Sequence, residues 1–302
     1  MFWLRLLLTA ATLGAVACYA FGSRDILAGA WAWNWPWLAA AAALAPAVLA
    51  GRAWKWRILV RSLDASVSFG QAWKSYLGGL PLGLVTPGRM GEFTRGLFLP
   101  QVSLRGAAGA GRVFLDNWTD FLAVLAWALP GWFFLRGLPG LAPGFGLLLV
   151  FLPIRFWMRV MRGVAVRLPV LWGLRTGLRK AIPATDALAG GHLFRAGVLG
   201  VVLFGAEWLQ LDFLLRFLGT SPPGYLALGG LMALVTLANS VQVTLAGLGV
   251  REGLAVYLLG HAGVDSRAAL LASFSLFFLN LVAPSLAGLL IKPQGWRPVR
   301  RL

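Results

Sequence analysis

Charged residues are scarce in this chain of 302 residues. They make up 12% of it, whereas a soluble domain carries about a quarter, and hydrophobic residues reach 59%. A soluble fold of this composition could not cover its surface with polar groups. Several apolar runs approach the roughly 20 residues that a helix needs to cross a bilayer. The composition therefore predicts an all-α, polytopic integral membrane bundle.

Cysteine and histidine are almost missing as well. The single cysteine, Cys18, excludes an intramolecular disulfide. The two histidines, His192 and His261, lie near the ends of apolar runs without partners at metal-ligand spacing, so no metal site is expected. The sequence has no nucleophile elbow, no phosphate-binding P-loop and no His-Glu-x-x-His motif. We expect no cofactor and no catalytic residues.

Seven apolar runs are long enough to be considered as spans: Phe2–Gly22, Trp35–Leu59, Val113–Leu135, Gly144–Arg162, Phe194–Leu218, Tyr225–Val243 and Ala268–Ile291. Two other apolar pieces are too short or too rich in glycine to cross alone: Trp73–Val85 with Phe93–Leu99, and Leu254–His261. The first run could also be a cleaved signal peptide, but its apolar length favours a retained helix.

Basic residues predict the orientation of the chain in the membrane. The sequence has 27 lysines and arginines against 10 acidic residues. If both termini are cytoplasmic, five basic residues lie on or near the outer side: Arg24, Arg136, Arg216, Arg251 and Arg267. This bias predicts a multi-pass protein of the inner (cytoplasmic) membrane. Because seven full crossings would place the C-terminus outside, we expect Tyr225–Val243 to turn back.

The excess of basic residues has two further consequences. The basic residues flank the spans and form no soluble patch with interleaved aromatic residues, so no nucleic-acid partner is expected. Between the fourth and fifth runs, Val164–Lys180 alternates apolar with basic residues. This segment is either a helix lying on the inner leaflet or an ordinary cytoplasmic loop.

Two stretches of the chain resemble each other. Leu84–Gly96 and Gln242–Gly253 both contain Val-Thr, then glycines, then a glutamate with a neighbouring arginine. Each follows an apolar segment and precedes a long span. With the sides assigned as above, the first enters the membrane from the cytoplasm and the second from outside. The pattern predicts inverted-topology repeats with two re-entrant or broken helices, an architecture of many transporters.

The repeats divide one transmembrane domain, 1–302, into consecutive parts. These parts are an N-terminal helix (1–34), the first repeat (35–140), a linking span with a basic interfacial segment (141–193), the second repeat (194–292) and a cytoplasmic tail (293–302).

Several charged residues fall where lipid alone would not tolerate them, because an unpaired charge in the membrane costs several kcal/mol. We predict that these residues line a polar cavity for a lipid headgroup: Arg89, Glu92, Arg95, Arg112, Asp116, Asp120, Glu207, Arg251 and Glu252. The arginines would bind phosphate, which suits a planar guanidinium. Two alternatives stay open. The Arg–Glu pairs could merely join the broken segments to the bundle, or the Asp116–Asp120 pair could hold a divalent ion for a membrane-bound transferase.

An ordered set of motifs resembles a known family. Gly51–Arg57, Pro87–Arg95, Asp116 with Asp120, and Gly247–Gly253 are similar to the lysylphosphatidylglycerol synthase transmembrane family, the flippase-like domain also found in the multiple peptide resistance factor. The resemblance covers nearly the whole chain. It implies translocation of a lipid such as an aminoacylated phospholipid, or handling of polyprenyl-linked sugars or hopanoids.

The sequence departs from the family in three respects. No soluble aminoacyl transferase domain lies in these residues, so lipid aminoacylation by the chain is not expected. Asn117 stands where an arginine often follows the first acidic residue, and the late arginine usual before the final proline is missing near Phe277–Pro284. The substrate is therefore expected to differ from the family's best-known one.

Together these observations predict a lipid flippase-like transporter that moves a polar-headed phospho- or isoprenoid-linked lipid across the cytoplasmic membrane. The expected partners are membrane lipids, with an anionic or polyprenyl-phosphate lipid as substrate. A partner enzyme that supplies the lipid and a homo-oligomer stay open. The alternatives are a membrane-embedded enzyme or accessory subunit acting on lipid-linked sugars, and a non-transporting membrane scaffold.

Overall fold

The computed structural model of the protein describes residues 2–21, 33–64, 66–101, 107–137, 190–240 and 244–293. Within these ranges the regular structure is entirely helical, which confirms the all-α prediction. Two predicted features, the apolar run Gly144–Arg162 and the basic stretch Val164–Lys180, lie outside the described residues. The predicted cytoplasmic tail is likewise outside them beyond its first residue.

The α-helices of the described ranges are α1 (Phe2–Phe21), α2 (Trp35–Val60), α3 (Phe69–Val85), α4 (Ala107–Leu135), α5 (Gly190–Phe217), α6 (Tyr225–Ala238), α7 (Val250–His261), α8 (Ser266–Phe277) and α9 (Ala283–Gly288). A 3-10 helix, Pro87–Phe98, follows α3, and a 3-10 turn, Leu245–Gly247, precedes α7. A π-helix, Phe278–Val282, joins α8 to α9.

Four helical stretches are long and apolar enough to cross a membrane: Trp35–Val60, Ala108–Leu135, Gly191–Phe217 and Ser266–Gly288. They confirm a multi-pass membrane protein. Large apolar side chains such as Val202, Leu286 and Leu289 are also exposed on its surface, as expected where lipid tails replace water. Helix α6 has only 14 residues and rises about 21 Å, less than the roughly 30 Å of the hydrocarbon core. It is therefore too short to cross alone.

The first broken segment contains more regular helix than its sequence suggested. Helix α3 begins before Trp73, because the side chains and backbones of Ser68 and Gln71 bond to each other in a capping box. It ends at Val85, and the extended backbone of the next residue, Thr86, is favoured by the following Pro87. The chain then folds back as the 3-10 helix and packs along α3. Gly79 and Gly83 permit this close approach, since a Cβ at either would meet a side chain of the 3-10 helix.

The second broken segment has a different backbone. Between α6 and α7, positive φ angles occur at Ala246, Gly247 and Gly249. Such angles favour glycine, and they turn the chain sharply before α7 begins at Val250. Glu252 caps this helix by accepting a 2.7 Å hydrogen bond from the Gly249 N–H. Helix α1 packs against α7 and the 3-10 turn, but whether α1 is retained in the mature protein stays a prediction.

The last helix of each predicted half packs against a helix of the other half. Helix α4 packs on α6, with Gly131 against the backbone of Gly230, and helix α9 packs on α3, with Gly288 against the backbone of Leu77. Helices α2 and α5, which open the two halves, pack along each other. An inverted repeat predicts such reciprocal packing. The opposite orientation of the halves, their re-entrance and the cytoplasmic location of the termini stay predictions.

Candidate functional site

The 3-10 helix buries two predicted site residues against α3. Glu92 and Arg95 lie one turn apart and are almost fully buried. Arg95 Nη2 donates to Glu92 Oε2 at 2.7 Å, and Arg95 Nη1 donates to Asp116 Oδ2 of α4 at 2.6 Å. Arg95 therefore connects the broken segment to the first helix that follows it.

Neighbouring aromatic and hydroxyl groups hold Arg95 in place. Its guanidinium lies 4.5 Å from the ring centroid of Tyr76 and 5.6 Å from that of Trp56. Ser75 Oγ donates to the Arg95 carbonyl oxygen at 2.8 Å and accepts from Trp56 Nε1 at 3.1 Å. These contacts come from α2 and α3, so two helices fix the position of one arginine.

Lys55 continues the charged network on α2. Its ammonium lies 2.9 Å from Asp116 Oδ1 and 2.6 Å from Asp120 Oδ1, and it also donates to the Asp116 carbonyl oxygen at 2.9 Å. The residue is 1% exposed. Asp116 and Asp120 lie one helical turn apart on α4, as predicted, and Lys55 separates their negative charges.

Arg52 extends the same network to α5. Its Nη1 lies 3.3 Å from Asp120 Oδ2, while its Nε and Nη2 bind Glu207 Oε1 at 2.8 and 2.5 Å. Its guanidinium also lies 4.8 Å from the ring centroid of Phe204. Because α2 opens the first predicted half and α5 the second, this contact joins the two halves through ion pairs.

The ion pairs form one continuous chain, which we call the charge ladder: Arg89, Glu92, Arg95, Asp116, Lys55, Asp120, Arg52 and Glu207. Positive and negative side chains alternate along it and are equal in number. A buried ion loses several kcal/mol of hydration unless it is paired, so this balance makes the ladder tolerable among apolar helices. Arg89 is its exposed end, with a side chain 42% exposed and a positive φ.

A second charged cluster lies at the start of α7. Arg251 pairs with Glu252 Oε1, and the other carboxylate oxygen of Glu252 accepts from the Gly249 N–H. The Arg251 guanidinium lies 4.1 Å from the ring centroid of Phe277 on α8. Glu252 is completely buried.

The nine predicted site residues thus fall into three places. Six belong to the charge ladder, and Arg251 with Glu252 forms the second cluster. Arg112 lies on α4, about one turn before Asp116, and is almost fully buried, but it is not a member of the ladder. The functional role of all nine stays a prediction.

Arg52 and Lys55, near the end of the run Trp35–Leu59, were missed as site residues, because basic residues there were interpreted as flanking the span on the cytoplasmic side. The structure corrects this: both lie inside helix α2, which runs on to Val60. The sequence did contain a pattern that could have indicated their burial. Arg52, Lys55 and Trp56 share one helical face by their spacing, and apolar residues follow them as far as Val60.

A polar junction without charge lies elsewhere in the bundle. Gln210, in the C-terminal half of α5, is fully buried and donates to the Ala41 carbonyl oxygen at 2.8 Å. Its side-chain oxygen accepts from Asn280 Nδ2 at 2.7 Å. Asn280 lies in the π-helix, a type of distortion that is frequent at functional sites.

The carboxylates of the ladder are engaged by cations of the protein itself. Among the described residues, no group of three or more His, Cys, Asp or Glu side chains is arranged to hold a metal ion. Asp116 and Asp120, considered above as a divalent-ion pair, both bind the Lys55 ammonium. The arrangement holds charged side chains as ion pairs among apolar helices.

Comparison with known proteins gives one result. No curated protein and no solved structure gave a significant match to the chain. The family model described as "Lysylphosphatidylglycerol synthase TM region" matches residues 2–288. The chain therefore belongs to the lysylphosphatidylglycerol synthase transmembrane family.

Proposed function

We propose that this protein moves a lipid with a phosphate-containing headgroup across the membrane and performs no covalent chemistry on it. The observation that carries the proposal is the charge ladder, which runs from the exposed side chain of Arg89 to Glu207 through helices apolar enough to span a bilayer. Membership of the family supports a role in lipid modification or flippase-like transport.

The physical case rests on the cost of moving a headgroup through hydrocarbon. A charged group that leaves water for an apolar interior loses several kcal/mol of hydration, even after the surroundings relax. A series of paired charges lowers this cost, because a headgroup can bind one member while the displaced partner keeps its other neighbour. The acyl or prenyl tails would remain in the bilayer throughout.

The two broken segments would provide the change of access. The 3-10 helix Pro87–Phe98 packs against the turn Leu245–Gly247, so one broken segment of each predicted half meets the other. In transporters with inverted repeats, substrate sites lie near such a junction of interrupted helices. Opening the junction to one side and then the other would move the headgroup.

Reconstitution into liposomes tests the proposal. Wild-type protein should move fluorescent phospholipids between leaflets, and Arg89→Ala and Glu252→Ala should each slow this by about tenfold or more, since loss of one charge-assisted contact has that magnitude. Arg216→Ala is the control, because the Arg216 side chain is exposed and pairs with Asp212 of its own helix, outside the ladder and the second cluster. The proposal fails if the wild-type protein moves none of a wide panel of lipids.

The same liposomes address the enzymatic alternative. If a lipid-linked sugar added to them is converted into a new product by the wild-type protein, and not by empty liposomes, a membrane-embedded enzyme replaces the transporter. Movement without conversion supports transport alone.

A further inference from the structure

Four arginines were predicted to bind phosphate, and the structure distinguishes between them. Arg95 is the least able to reach a lipid, since it binds two carboxylates, Glu92 and Asp116, and is almost fully buried. Arg112 is almost fully buried within α4. Arg89 and Arg251 remain, with side chains 42% and 16% exposed.

These two arginines share an arrangement that the sequence did not show. Each pairs with a buried glutamate through the Oε1 of that glutamate. The other oxygen is committed to the fold: Glu92 Oε2 accepts from Arg95, and Glu252 Oε2 accepts from the Gly249 N–H. Each predicted half therefore contains a glutamate with one fixed oxygen and one oxygen that holds a peripheral arginine.

Both guanidinium groups have donors to spare. A guanidinium carries five N–H donors, and each of these two engages its glutamate through Nη2. The Nε atoms of Arg89 and Arg251 are buried without a hydrogen-bond partner in the described part of the chain. Phosphate suits these unused donors, because its oxygens accept two parallel hydrogen bonds from one guanidinium.

When either arginine leaves, its buried glutamate keeps one other interaction with the protein. If Arg89 moves away, Glu92 keeps its ion pair with Arg95. If Arg251 moves away, Glu252 keeps the hydrogen bond from the Gly249 N–H at the start of α7, where a helix terminus also favours negative charge. Arg52 binds two carboxylates at once, Asp120 and Glu207, so its departure would break two ion pairs of the ladder.

We propose that Arg89 and Arg251 are the phosphate-binding residues of the protein, and that each exchanges the Oε1 of its own glutamate for an oxygen of a lipid phosphate. Arg95 and Lys55 are positioning residues that keep the ladder in place during the exchange. The inference rests on the proposed function and assigns the phosphate contacts of that function to two residues. The two glutamates then compete with the lipid phosphate for the arginines. When a glutamate binds its arginine again, the lipid is released.

If Glu252 competes with the lipid phosphate for Arg251, removing its charge should strengthen lipid binding. A purely structural role of Glu252 would not produce this gain. In Glu252→Gln the neutral amide still offers an oxygen to the Gly249 N–H, but it no longer attracts Arg251. The variant should bind a lipid phosphate more tightly, by about tenfold, because one charged competitor is lost. It should also move the lipid more slowly, because nothing displaces the phosphate.

The test is a binding titration with purified protein in uncharged detergent micelles. Phosphatidylglycerol is the anionic probe, and a glucosyl diacylglycerol without phosphate is the neutral one. Arg89→Gln and Arg251→Gln should each weaken binding of the anionic probe about tenfold and leave the neutral probe unchanged. Glu252→Gln should strengthen binding of the anionic probe, and Arg216→Gln should change neither.

Other outcomes would overturn the inference. It fails if the arginine variants bind phosphatidylglycerol like the wild type, if they lose both probes together, or if Glu252→Gln weakens binding. Inorganic phosphate is added in a third arm, and its binding without that of phosphatidylglycerol would reject a lipid as the source of the phosphate. Specific binding without movement in liposomes would instead refute the proposed transport and leave the phosphate site intact.

Discussion

Lys55 shows how a single buried residue can decide the stability of the ladder. Its ammonium binds two carboxylates that lie one turn apart on α4, and it is 1% exposed. Without it, Asp116 would depend on Arg95 alone and Asp120 on Arg52 alone. The two like charges would also repel each other across a medium of low dielectric constant.

Replacing Lys55 by methionine should therefore destabilise the fold. Removing one partner of a buried ion pair costs about 3–5 kcal/mol, because it leaves an uncompensated charge. The loss should be seen as a lower midpoint of unfolding by SDS in mixed micelles. Lys74→Met, at an exposed position of α3, should leave the midpoint unchanged. Adding Asp120→Asn to Lys55→Met should recover part of the loss, and equal midpoints for the wild type and Lys55→Met would contradict the expectation.

At this scale the sequence predicted the acidic members of the ladder and missed two of its basic members. An acidic residue inside an apolar run is conspicuous, as at Glu207. A basic residue near the end of a run has an ordinary explanation, orientation by the positive-inside rule. From the sequence alone, Arg52 and Lys55 could be either exposed residues that orient the chain or buried members of an ion-pair network. Their burial depends on α4 and α5 packing against α2, which the sequence does not show.

At the scale of elements, the close contact of α3 with the 3-10 helix depends on small residues. A Cβ on Gly79 would meet the side chain of Arg95, and a Cβ on Gly83 would meet that of Glu92. These glycines lie four residues apart on one face of α3. They create the space in which the buried charges of the ladder begin.

Gly79→Ala should consequently displace Arg95 and lower stability by about 1–3 kcal/mol, the usual cost of overfilling a packed interior. Transport in liposomes should fall with it. Gly70→Ala is the matched control on the same helix, since a Cβ there meets nothing within 4 Å. That control should be neutral or slightly stabilising, because alanine favours a helix. A neutral result for Gly79→Ala would show that the contact is looser than described.

The sequence predicted the apolar helices better than their interruptions. It treated Ala268–Ile291 as one continuous run, whereas the structure divides this region into α8, the π-helix Phe278–Val282 and α9. Apolar composition carries no information on a local change of helical period. Pro284, which has no N–H to continue the α-helical pattern, lies in the first turn of α9, just after the π-helix, and the Asn280 side chain donates to Gln210 across the bundle. The glycine-rich breaks were predicted because glycine and proline act locally on the backbone.

At the scale of the whole molecule, the two predicted halves pack reciprocally, as two structural repeats would. Helix α4 packs on α6 just as α9 packs on α3. Inverted repeats are related by an axis in the membrane plane and parallel repeats by an axis along the membrane normal, and this packing is compatible with either relation. The distribution of basic residues predicts which side each half faces.

Ser66 precedes α3 and Ser221 precedes α6, and both are exposed. Inverted halves place Ser66 in the cytoplasm and Ser221 outside, so single cysteines at these positions should react oppositely with a membrane-impermeant maleimide. In intact cells of a Cys18→Ser background, Ser221→Cys should be labelled and Ser66→Cys should not. Permeabilised cells should show both labelled, and the background variant neither. Labelling of both in intact cells would mean that the halves enter from the same side, and the inverted repeat would be wrong although the packing stood.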